Sequence, residues 1–315
     1  MRAITFRAYG GPEQLVLVDL PRPAPGPGQL LVRVLASSVN PVDWKRASGV
    51  YRLILPVKFP CVPGYDLAGE VVELGAGVRD FTVGARVHAR IGESHGGASA
   101  EYAVVGVDVT TPIPAGMDVG EAAGLPLAGM TALQGLRDRA GMPADAAGVR
   151  VLIVGASGGV GHLAVQIARA AGATVVGVCS GRNAALVAAL GAHEVLDYTA
   201  ADPYRGQAPF AIVLDCVAGE PGAWLPLLGP GGRYVSCVPN GATLLRSAFN
   251  VFTDKQVRAV MMKSRAADLA HLDRLVDAGK LRVVIDRRFK LEALAQAWER
   301  SISGRATGKI VIDVA

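Results

Sequence analysis

Cysteine is scarce in this chain of 315 residues, and the four cysteines present are far apart: Cys61, Cys179, Cys216 and Cys237. They form no CxxC pair and do not cluster with histidine, so a structural zinc site, which needs close ligand pairs, is not expected. The opening segment MRAITFRAYG has no apolar stretch of the kind that marks a secretory signal. Reduced thiols are then the default state, and we expect a cytoplasmic protein.

Long runs of one charge are also lacking. The net charge is +5, charged residues make up 19% of the chain, and the basic residues are spread along it. This pattern argues against a nucleic-acid-binding protein and leaves only a weak attraction for anionic ligands such as a phosphorylated cofactor. Hydrophobic residues are abundant, at 51%, which favours a well-buried globular protein. The length exceeds what one core usually organises, so two domains are expected.

One stretch without charge, residues 151–168, approaches the length of a membrane span. Four glycines inside it, Gly155, Gly158, Gly159 and Gly161, would interrupt a helix early. A buried strand, a glycine turn and a buried helix fit the pattern better, and no integral membrane segment is predicted.

The chain changes character near residue 120. Before it, short apolar runs between Gly and Pro residues indicate a β-barrel or sandwich, and the proline-rich segment 21–29 indicates a loop. The predicted strands of this part are LVLVDL (15–20), LLVRVLA (30–36), AGEVVELG (68–75), ARVHAR (85–90) and AEYAVV (100–105).

After residue 120, nearly uniform apolar runs alternate with helical segments, as in a doubly wound parallel sheet. The predicted strands are VRVLIVG (149–155), ATVVGVC (173–179), FAIVLDCV (210–217) and GRYVSCV (232–238). Two helical stretches follow residue 269, and a last strand lies at 308–315. Composition leaves open whether that strand closes the parallel sheet or returns to the first domain.

The sharpest motif is VLIVGASGGVGHLAVQIA, residues 151–168. In a strand–turn–helix context, such a turn presents backbone N–H groups and a helix N-terminus to a pyrophosphate. Ala156 replaces the first glycine of the usual GxGxxG pattern. The residues predicted to bind a dinucleotide here are Gly155, Ala156, Ser157, Gly158, Gly159, Val160 and Gly161.

The next strand indicates which dinucleotide is bound. It ends in Ser180-Gly181-Arg182-Asn183, where an NAD site usually has a carboxylate. An arginine at this place can bind a 2′-phosphate, so NADPH is the predicted cofactor, held by Ser180, Arg182 and Asn183. The alternative is that Arg182 is an ordinary solvated residue.

Several segments together resemble the quinone oxidoreductase branch of the medium-chain dehydrogenase/reductases. They are residues 37–51, 63–87 and 124–136, the GASGGVG turn and ATGKIVI (306–312). Within that branch the chain most resembles the plant chloroplast-envelope quinone oxidoreductase homologues and related enone reductases. The resemblance implies an α/β protein with a GroES-like, partly open β-barrel domain (1–120 and 283–315) and a Rossmann domain (121–282). It places the last strand with the β-domain.

The resemblance also implies a zinc-independent enzyme. Zinc alcohol dehydrogenases have Cys and His-Glu ligands in segments where this chain has Ser37-Ser38 and Gly64-Tyr65-Asp66. His88 and His95 remain, but without Cys or carboxylate partners they fit a structural role. Hydrogen-bond donors must then polarise the substrate in place of a metal.

The reaction implied is hydride transfer from NADPH to the β-carbon of an α,β-unsaturated carbonyl, with donors serving the developing enolate oxygen and the α-carbon. Tyr51 is the first candidate proton donor, or it only lines the cleft. Asn40, Asp43 and Lys45 lie on a loop that resembles the family's active-site loop. Lys45 is a second candidate proton donor, and Asn40 would orient the nicotinamide or the substrate. Asp43 either takes part in this loop's function or only caps a helix.

Further cofactor contacts are implied by resemblance alone. Thr131 would approach the nicotinamide ribose or phosphate, and Tyr198 would join Arg182 at the 2′-phosphate. Val217 and Val238 would border the carboxamide, and Lys309 would reach the cofactor from the last strand.

Two other functions remain open: an NADPH:quinone reductase, and a non-catalytic NADPH-binding scaffold or redox sensor. The partner expected is a small-molecule enone, alkenal or quinone, and a homodimer is implied by family analogy. Phe249, Phe252 and Met261 either shape the acceptor pocket or form core or dimer contacts.

Overall fold

The computed structural model describes residues 1–53, 55–92 and 96–314. The chain divides into two compact units. One, the β-unit, consists of residues 1–128, 263–277 and 283–315, and the other, the parallel-sheet unit, of residues 129–262 and 278–282.

The β-unit contains a small two-stranded sheet and a seven-stranded mixed sheet. Its strands are β1 (Arg2–Thr5), β2 (Val16–Asp19), β3 (Gln29–Val39), β4 (Asp66–Leu74), β5 (Arg86–Arg90), β6 (Tyr102–Gly106), β7 (Thr110–Pro112), β14 (Ile285–Lys290) and β15 (Lys309–Asp313). Its helices are α1 (Pro41–Ala47), α2 (Val119–Gly124), α8 (Ala266–Asp277) and α9 (Leu294–Ile302).

Strand β3 organises the larger sheet. It pairs with β4 along one edge, while on the other edge its first half pairs with β6 and its last residues pair with β15, all antiparallel. Register shifts at residues 31–32 and 34–36 bend the strand, as bulges do. The sheet can therefore curl around one core, which includes Leu30, Val71 and Trp298.

The last strand returns to the β-unit, where Ile310 pairs with Val39 and Asp313 with Ala36. The family resemblance implied this placement, and β15 brings Lys309 beside the end of β3.

The parallel-sheet unit holds six parallel strands in the order β10-β9-β8-β11-β12-β13. They are β8 (Arg150–Val154), β9 (Thr174–Cys179), β10 (Glu194–Asp197), β11 (Phe210–Asp215), β12 (Leu228–Ser236) and β13 (Gln256–Ala259). The helices of this part are α3 (Pro126–Gln134, which crosses the division between the units and continues into a π-turn at Gly135–Arg139), α4 (Gly161–Ala170), α5 (Ala184–Ala189), α6 (Pro221–Trp224) and α7 (Gly241–Ala248). This strand order is that of a Rossmann fold, as predicted.

The unit boundaries differ from the predicted ones in two places. Residues 121–128 and 263–277, predicted within the Rossmann domain, group with the β-unit. Helix α8 belongs there because Asp273 accepts a hydrogen bond from Thr111 at 2.8 Å and lies 3.0 Å from His88 Nε2. Helix α2 belongs there because a Cβ at Gly124 would touch Val283 and Lys309.

The uncharged stretch 151–168 forms β8, the glycine turn and most of α4, as predicted. Among the described residues, no helix is long and apolar enough to cross a membrane.

Candidate functional site

The glycine turn joins the buried strand β8 to helix α4. Gly155 has a φ of +75°. The N–H groups of Gly155 and Ala156 donate to Val178 O at 3.0 and 2.9 Å, which attaches the turn to β9. A Cβ at Gly161 would collide with the Gly155 carbonyl, and one at Gly155 would collide with Val217. These glycines keep the turn tight. A turn of this shape before a helix N-terminus fits a pyrophosphate.

Ala156 in the turn and His162 at the start of α4 have side chains that face the protein. Ala156 is fully buried, and a Cβ built on Gly177 of β9 would stand 3.2 Å from its methyl group. The predicted contact of Ala156 with a cofactor therefore falls to its backbone. His162 was not foreseen as part of this site: its Nδ1 lies 2.9 Å from Gly158 O, so the side chain supports the turn from within.

The residues predicted for the adenosine end lie on adjoining turns. Asn183 Nδ2 donates to Ser157 Oγ at 2.9 Å, which connects the turns after β8 and β9. Ser180 is half-buried, and Arg182 and Tyr198 are exposed, Tyr198 by 58%.

A carboxylate that the sequence analysis did not consider, Asp197 at the end of β10, adjoins these turns. Its Oδ1 accepts from the Thr199 N–H at 2.9 Å and the Thr199 hydroxyl at 2.7 Å. Hydrogen bonds from Thr199, with a further one from the Gly181 backbone, lower the pKa of Asp197. The expectation that this end holds no carboxylate is therefore too simple, because the parallel register sets Asp197 opposite Cys179, next to the Ser180–Arg182 turn.

The loop after β11 borders the other side of the glycine turn. Asp215, fully buried, accepts from the N–H groups of Val217 and Gly219 at 2.8 and 2.6 Å and from the Tyr234 hydroxyl at 2.6 Å. These bonds hold the loop after β11, including Ala218 at a φ of +62°. Val217 is 57% exposed beside Gly155.

The remaining predicted contacts of this unit are more enclosed. Val238, after β12, is half-buried. Thr131, on α3, is 7% exposed. The structure therefore brings the turn residues, Asn183 and Val217 together, whereas Thr131 offers little surface to a ligand.

In the β-unit, polar side chains from distant segments meet at Asp66, the first residue of β4. The Asp66 carboxylate is fully buried and accepts from the Ser38 hydroxyl at 2.8 Å, Asn40 Nδ2 at 2.8 Å and the Leu127 N–H at 2.9 Å. Lys309 Nζ lies 3.7 Å from the same carboxylate. We call Ser38, Asn40, Asp66 and Lys309 the Asp66 cluster.

Lys309 and Asn40 are bonded to each other. Lys309 Nζ donates to Asn40 Oδ1 at 2.6 Å and to Val39 O at 3.3 Å. The two residues are 3% and 2% exposed. Burial lowers the pKa of Lys309, while Asp66 and Asp43 act in the opposite direction. This arrangement does not favour the direct ligand contacts predicted for Asn40 and Lys309, because the side-chain amide and the amine are already hydrogen-bonded within the cluster.

Asp43 caps helix α1, as one of its two predicted roles requires. Its Oδ2 accepts from the Asn40 N–H at 2.6 Å. Its Oδ1 is buried and has no hydrogen-bond partner within the described parts of the chain. Burial raises the pKa of Asp43 to about 7.

The two predicted proton donors lie on and just after α1, which begins next to Asn40. Lys45 and Tyr51 are both half-buried. Burial lowers the pKa of the Lys45 amine and raises that of the Tyr51 hydroxyl. Unlike the Asp66 cluster, these side chains retain exposed surface that a ligand can reach.

His88 has a structural setting. It is fully buried, with Nδ1 3.0 Å from Ala122 O and Nε2 3.0 Å from Asp273 Oδ1. His95 lies outside the described residues. In residues 1–53, 55–92 and 96–314, no three His, Cys, Asp or Glu side chains come together as a metal site would require.

A parallel sheet in Rossmann order with a glycine turn, and a curled β-unit, are the two parts of a fold of the alcohol dehydrogenase type. Residues 26–115 match the alcohol dehydrogenase GroES-like domain, and residues 190–312 match the zinc-binding dehydrogenase family. A chloroplast envelope quinone oxidoreductase homolog from Arabidopsis thaliana is 39% identical over 99% of this chain and 98% of its own. A 2-methylene-furan-3-one reductase from Solanum lycopersicum is 32% identical over 99% of this chain and 79% of its own.

Among solved structures, the quinone oxidoreductase from Coxiella burnetii is similar with a TM-score of 0.92 and 34% identity, covering 100% of this chain and 99% of that one. The chain belongs to the quinone oxidoreductase branch of the medium-chain dehydrogenase/reductases. It is an oxidoreductase with a nicotinamide cofactor and a small-molecule substrate.

The expected cytoplasmic location was wrong. Three plant relatives, at 37–39% identity, are named as chloroplast proteins. The expectation rested on free thiols and the opening segment, and free thiols are compatible with any reducing compartment, so they could not select one.

Proposed function

We propose that the chain is an NADPH-dependent, zinc-free reductase of activated C=C bonds, acting on enones or alkenals. The proposal is carried by two half-buried candidate proton donors, Lys45 on α1 and Tyr51 just after it. Helix α1 starts next to Asn40 of the Asp66 cluster, whose own polar groups are already hydrogen-bonded to each other. The name of the tomato relative, a furanone reductase, supports this substrate class.

The chain's own residues would divide the work. When bound, the nicotinamide supplies the hydride that the β-carbon of the substrate accepts. The glycine turn and Asn183 would hold the pyrophosphate, and the exposed Arg182 would bind the 2′-phosphate. Asp197 is already engaged by Thr199, so its charge is partly satisfied within the protein.

Tyr51 would donate to the substrate oxygen, where negative charge develops, and Lys45 would return a proton to the α-carbon. The Asp66 cluster fixes the start of α1 through Asn40, and hence the direction from which Lys45 approaches. Asn40 and Lys309 are positioning residues in this scheme.

Zinc independence rests on the same cluster. Lys309 already brings a cationic amine to the buried Asp66 carboxylate, which satisfies that carboxylate without a metal. Metal analysis of the purified protein, with activity measured before and after dialysis against a chelator, tests this. We expect no stoichiometric zinc and full activity, and a loss of activity that zinc restores would refute the proposal.

We also propose a homodimer formed through strand β13. This strand is the last in the sheet order, so one of its edges has no partner strand among the described residues. Nearby Phe249, Val251, Phe252 and Met261 are 54–83% exposed, which excludes the core role left open for Phe249, Phe252 and Met261. Sedimentation velocity should show a dimer, and Phe252→Glu should shift it towards monomer.

NADPH oxidation with a panel of alkenals, vinyl ketones, benzoquinone and phenanthrenequinone tests the reaction itself, with NADH in parallel. Rapid turnover of enones to saturated products supports the proposal. Turnover of quinones alone would favour the second candidate, an NADPH:quinone reductase, which the names of the Arabidopsis and Coxiella relatives support. NADPH binding without turnover would favour a scaffold or redox sensor.

A further inference from the structure

Two cysteines lie side by side at the carboxyl edge of the parallel sheet. Cys216 follows β11, Cys237 follows β12, and their sulfur atoms are 3.9 Å apart. All four cysteines of the chain are free thiols, and these two are both partly exposed. Cys179 is buried, and Cys61 belongs to the β-unit. Only this pair among the four therefore combines proximity with access to small reagents.

The backbone is already arranged for a bond between them. Asp215 and Ser236 are register partners on parallel strands, and the Cys237 N–H donates to Asp215 O at 2.8 Å, so the ladder continues to the cysteines. Neighbouring strands are about 4.8 Å apart. That spacing lies inside the Cα–Cα range of about 4.4–6.8 Å that a disulfide spans.

The pair also lies next to the candidate cofactor site. The Cys216 N–H donates to Val154 O at 3.1 Å, directly before the glycine turn, and a Cβ at Gly155 would stand 3.7 Å from Cys216 Cβ. Val217 and Val238, the predicted nicotinamide neighbours, each follow one of the two cysteines. A change in the cysteines therefore shifts both loops at once.

We propose that Cys216 and Cys237 form a peroxide-oxidisable dithiol, and that its closure to a disulfide weakens binding of the dinucleotide. The second part rests on the proposed function, whereas disulfide formation itself does not. Nothing else in the described residues requires two thiols at this edge, since the Asp215 carboxylate already fixes the loop.

The chemistry balances with hydrogen peroxide as the oxidant. The Cys237 sulfur, which accepts the hydrogen bond from Cys216, attacks the O–O bond as a thiolate; it becomes a sulfenic acid and hydroxide leaves. Hydrogen bonding to Cys237 and burial raise the pKa of Cys216, so this thiol stays protonated until the second step. Its sulfur then attacks the sulfenic sulfur, its proton leaves with the departing oxygen as water, and the S–S bond forms.

Closure must draw the sulfurs from 3.9 Å to about 2.05 Å. The strand ends are fixed by the ladder, so the adjustment falls on the Cys216–Val217 and Cys237–Val238 loops. Because these loops adjoin the glycine turn, we expect NADPH to bind about tenfold more weakly to the oxidised protein.

The test uses the full chain, reduced and then treated with hydrogen peroxide, with peptide mapping under non-reducing conditions. We expect one cross-linked peptide pair containing Cys216 and Cys237, two hydrogens lighter than its parts. Dithiothreitol should remove the link and restore NADPH affinity measured by nucleotide fluorescence. Cys237→Ser should abolish the link, and Cys61→Ser, the control, should leave it in place.

Oxidation of the two cysteines to separate sulfinic or sulfonic acids without a cross-link would overturn the proposal. A cross-link with unchanged NADPH affinity would overturn its second part. The mapping needs no turnover, so a reduced protein that binds NADPH but reduces none of the enones or alkenals would contradict the proposed function and leave the disulfide result standing.

Discussion

In the parallel-sheet unit, the candidate site consists of backbone N–H groups on an open turn and of side chains at the ends of strands. In the β-unit, the polar groups are the opposite: Ser38, Asn40, Asp66 and Lys309 are all buried and bonded to each other. The first arrangement leaves hydrogen-bonding capacity for a ligand, whereas the second uses it within the protein. This difference fits our proposal that the parallel-sheet unit binds the cofactor and that the Asp66 cluster positions the half-buried Lys45 and Tyr51.

The largest effect should follow removal of one of the two candidate proton donors. We expect Tyr51→Phe and Lys45→Met each to lower kcat for enones by roughly 10²–10⁴-fold, the range of general-acid contributions. Steady-state kinetics at several pH values checks this, with Tyr102→Phe as the control. Because burial lowers the pKa of Lys45, the alkaline loss of wild-type activity should begin below the pH at which an exposed lysine titrates. Unchanged kcat in both variants would show that neither is a donor.

Within the Asp66 cluster the effect should be on stability. Lys309→Met leaves the buried Asp66 carboxylate without its cation, and we expect the free energy of unfolding to fall by about 3–5 kcal/mol. Chemical denaturation measures this. Adding Asp66→Asn to the same chain should restore part of the loss, since the carboxylate that lost its cation is then replaced by a neutral amide. If Lys309→Met is as stable as wild type, the ion pair contributes little to the free energy of unfolding.

The glycine turn should respond through packing. In Gly161→Ala the new methyl group meets the Gly155 carbonyl, and overpacking of this kind costs about 1–3 kcal/mol. NADPH affinity should fall along with the stability. Gly241→Ala is the matched control in the same unit, because its Cβ would have nothing within 4 Å. Equal behaviour of the two variants would contradict the account of the turn.

A smaller effect is expected at Arg182, which is exposed to solvent and screening salt. Arg182→Ala should weaken NADPH about tenfold and leave NADH almost unchanged. Dissociation constants for both cofactors, with Arg205→Ala as the control, test this. An unchanged preference would remove Arg182 from the 2′-phosphate site.

A last effect, which depends on pH, concerns Asp43, whose pKa is raised from 3.8 to about 7 by burial. A raised carboxyl pKa means that the folded state retains a proton that the unfolded state loses, so this group makes the fold less stable as pH rises from about 4 to about 7. Asp43→Asn cannot lose the proton. Its stability relative to wild type should therefore increase across that window, as denaturation at a series of pH values can show; a constant difference would contradict the assigned cause.

The parallel-sheet unit was the more predictable of the two. Each of its four central strands, and the glycine turn, is a single continuous segment of the chain. The apolar runs indicate burial, and the glycines are required where the backbone turns tightly. The strands missed, β10 and β13, have only four residues each and lie at the sheet edges, so each contains just one buried side chain. Asp197 was missed together with β10, because only the sheet register brings it beside Gly181.

The Asp66 cluster could not be predicted from the sequence because it joins residues near positions 40, 66 and 309. No spacing along the chain indicates that Lys309 meets Asn40; the antiparallel pairing of β15 with β3 does. Family resemblance identified both residues as important but suggested cofactor contacts, whereas their burial favours positioning.

The most direct test of the central claim uses NADPH deuterated at the transferable position of the nicotinamide, together with an enone that the enzyme turns over. We predict a saturated ketone with deuterium on the β-carbon and a solvent-derived proton on the α-carbon, detected by NMR. Deuterium on the carbonyl carbon of an alcohol product would contradict it.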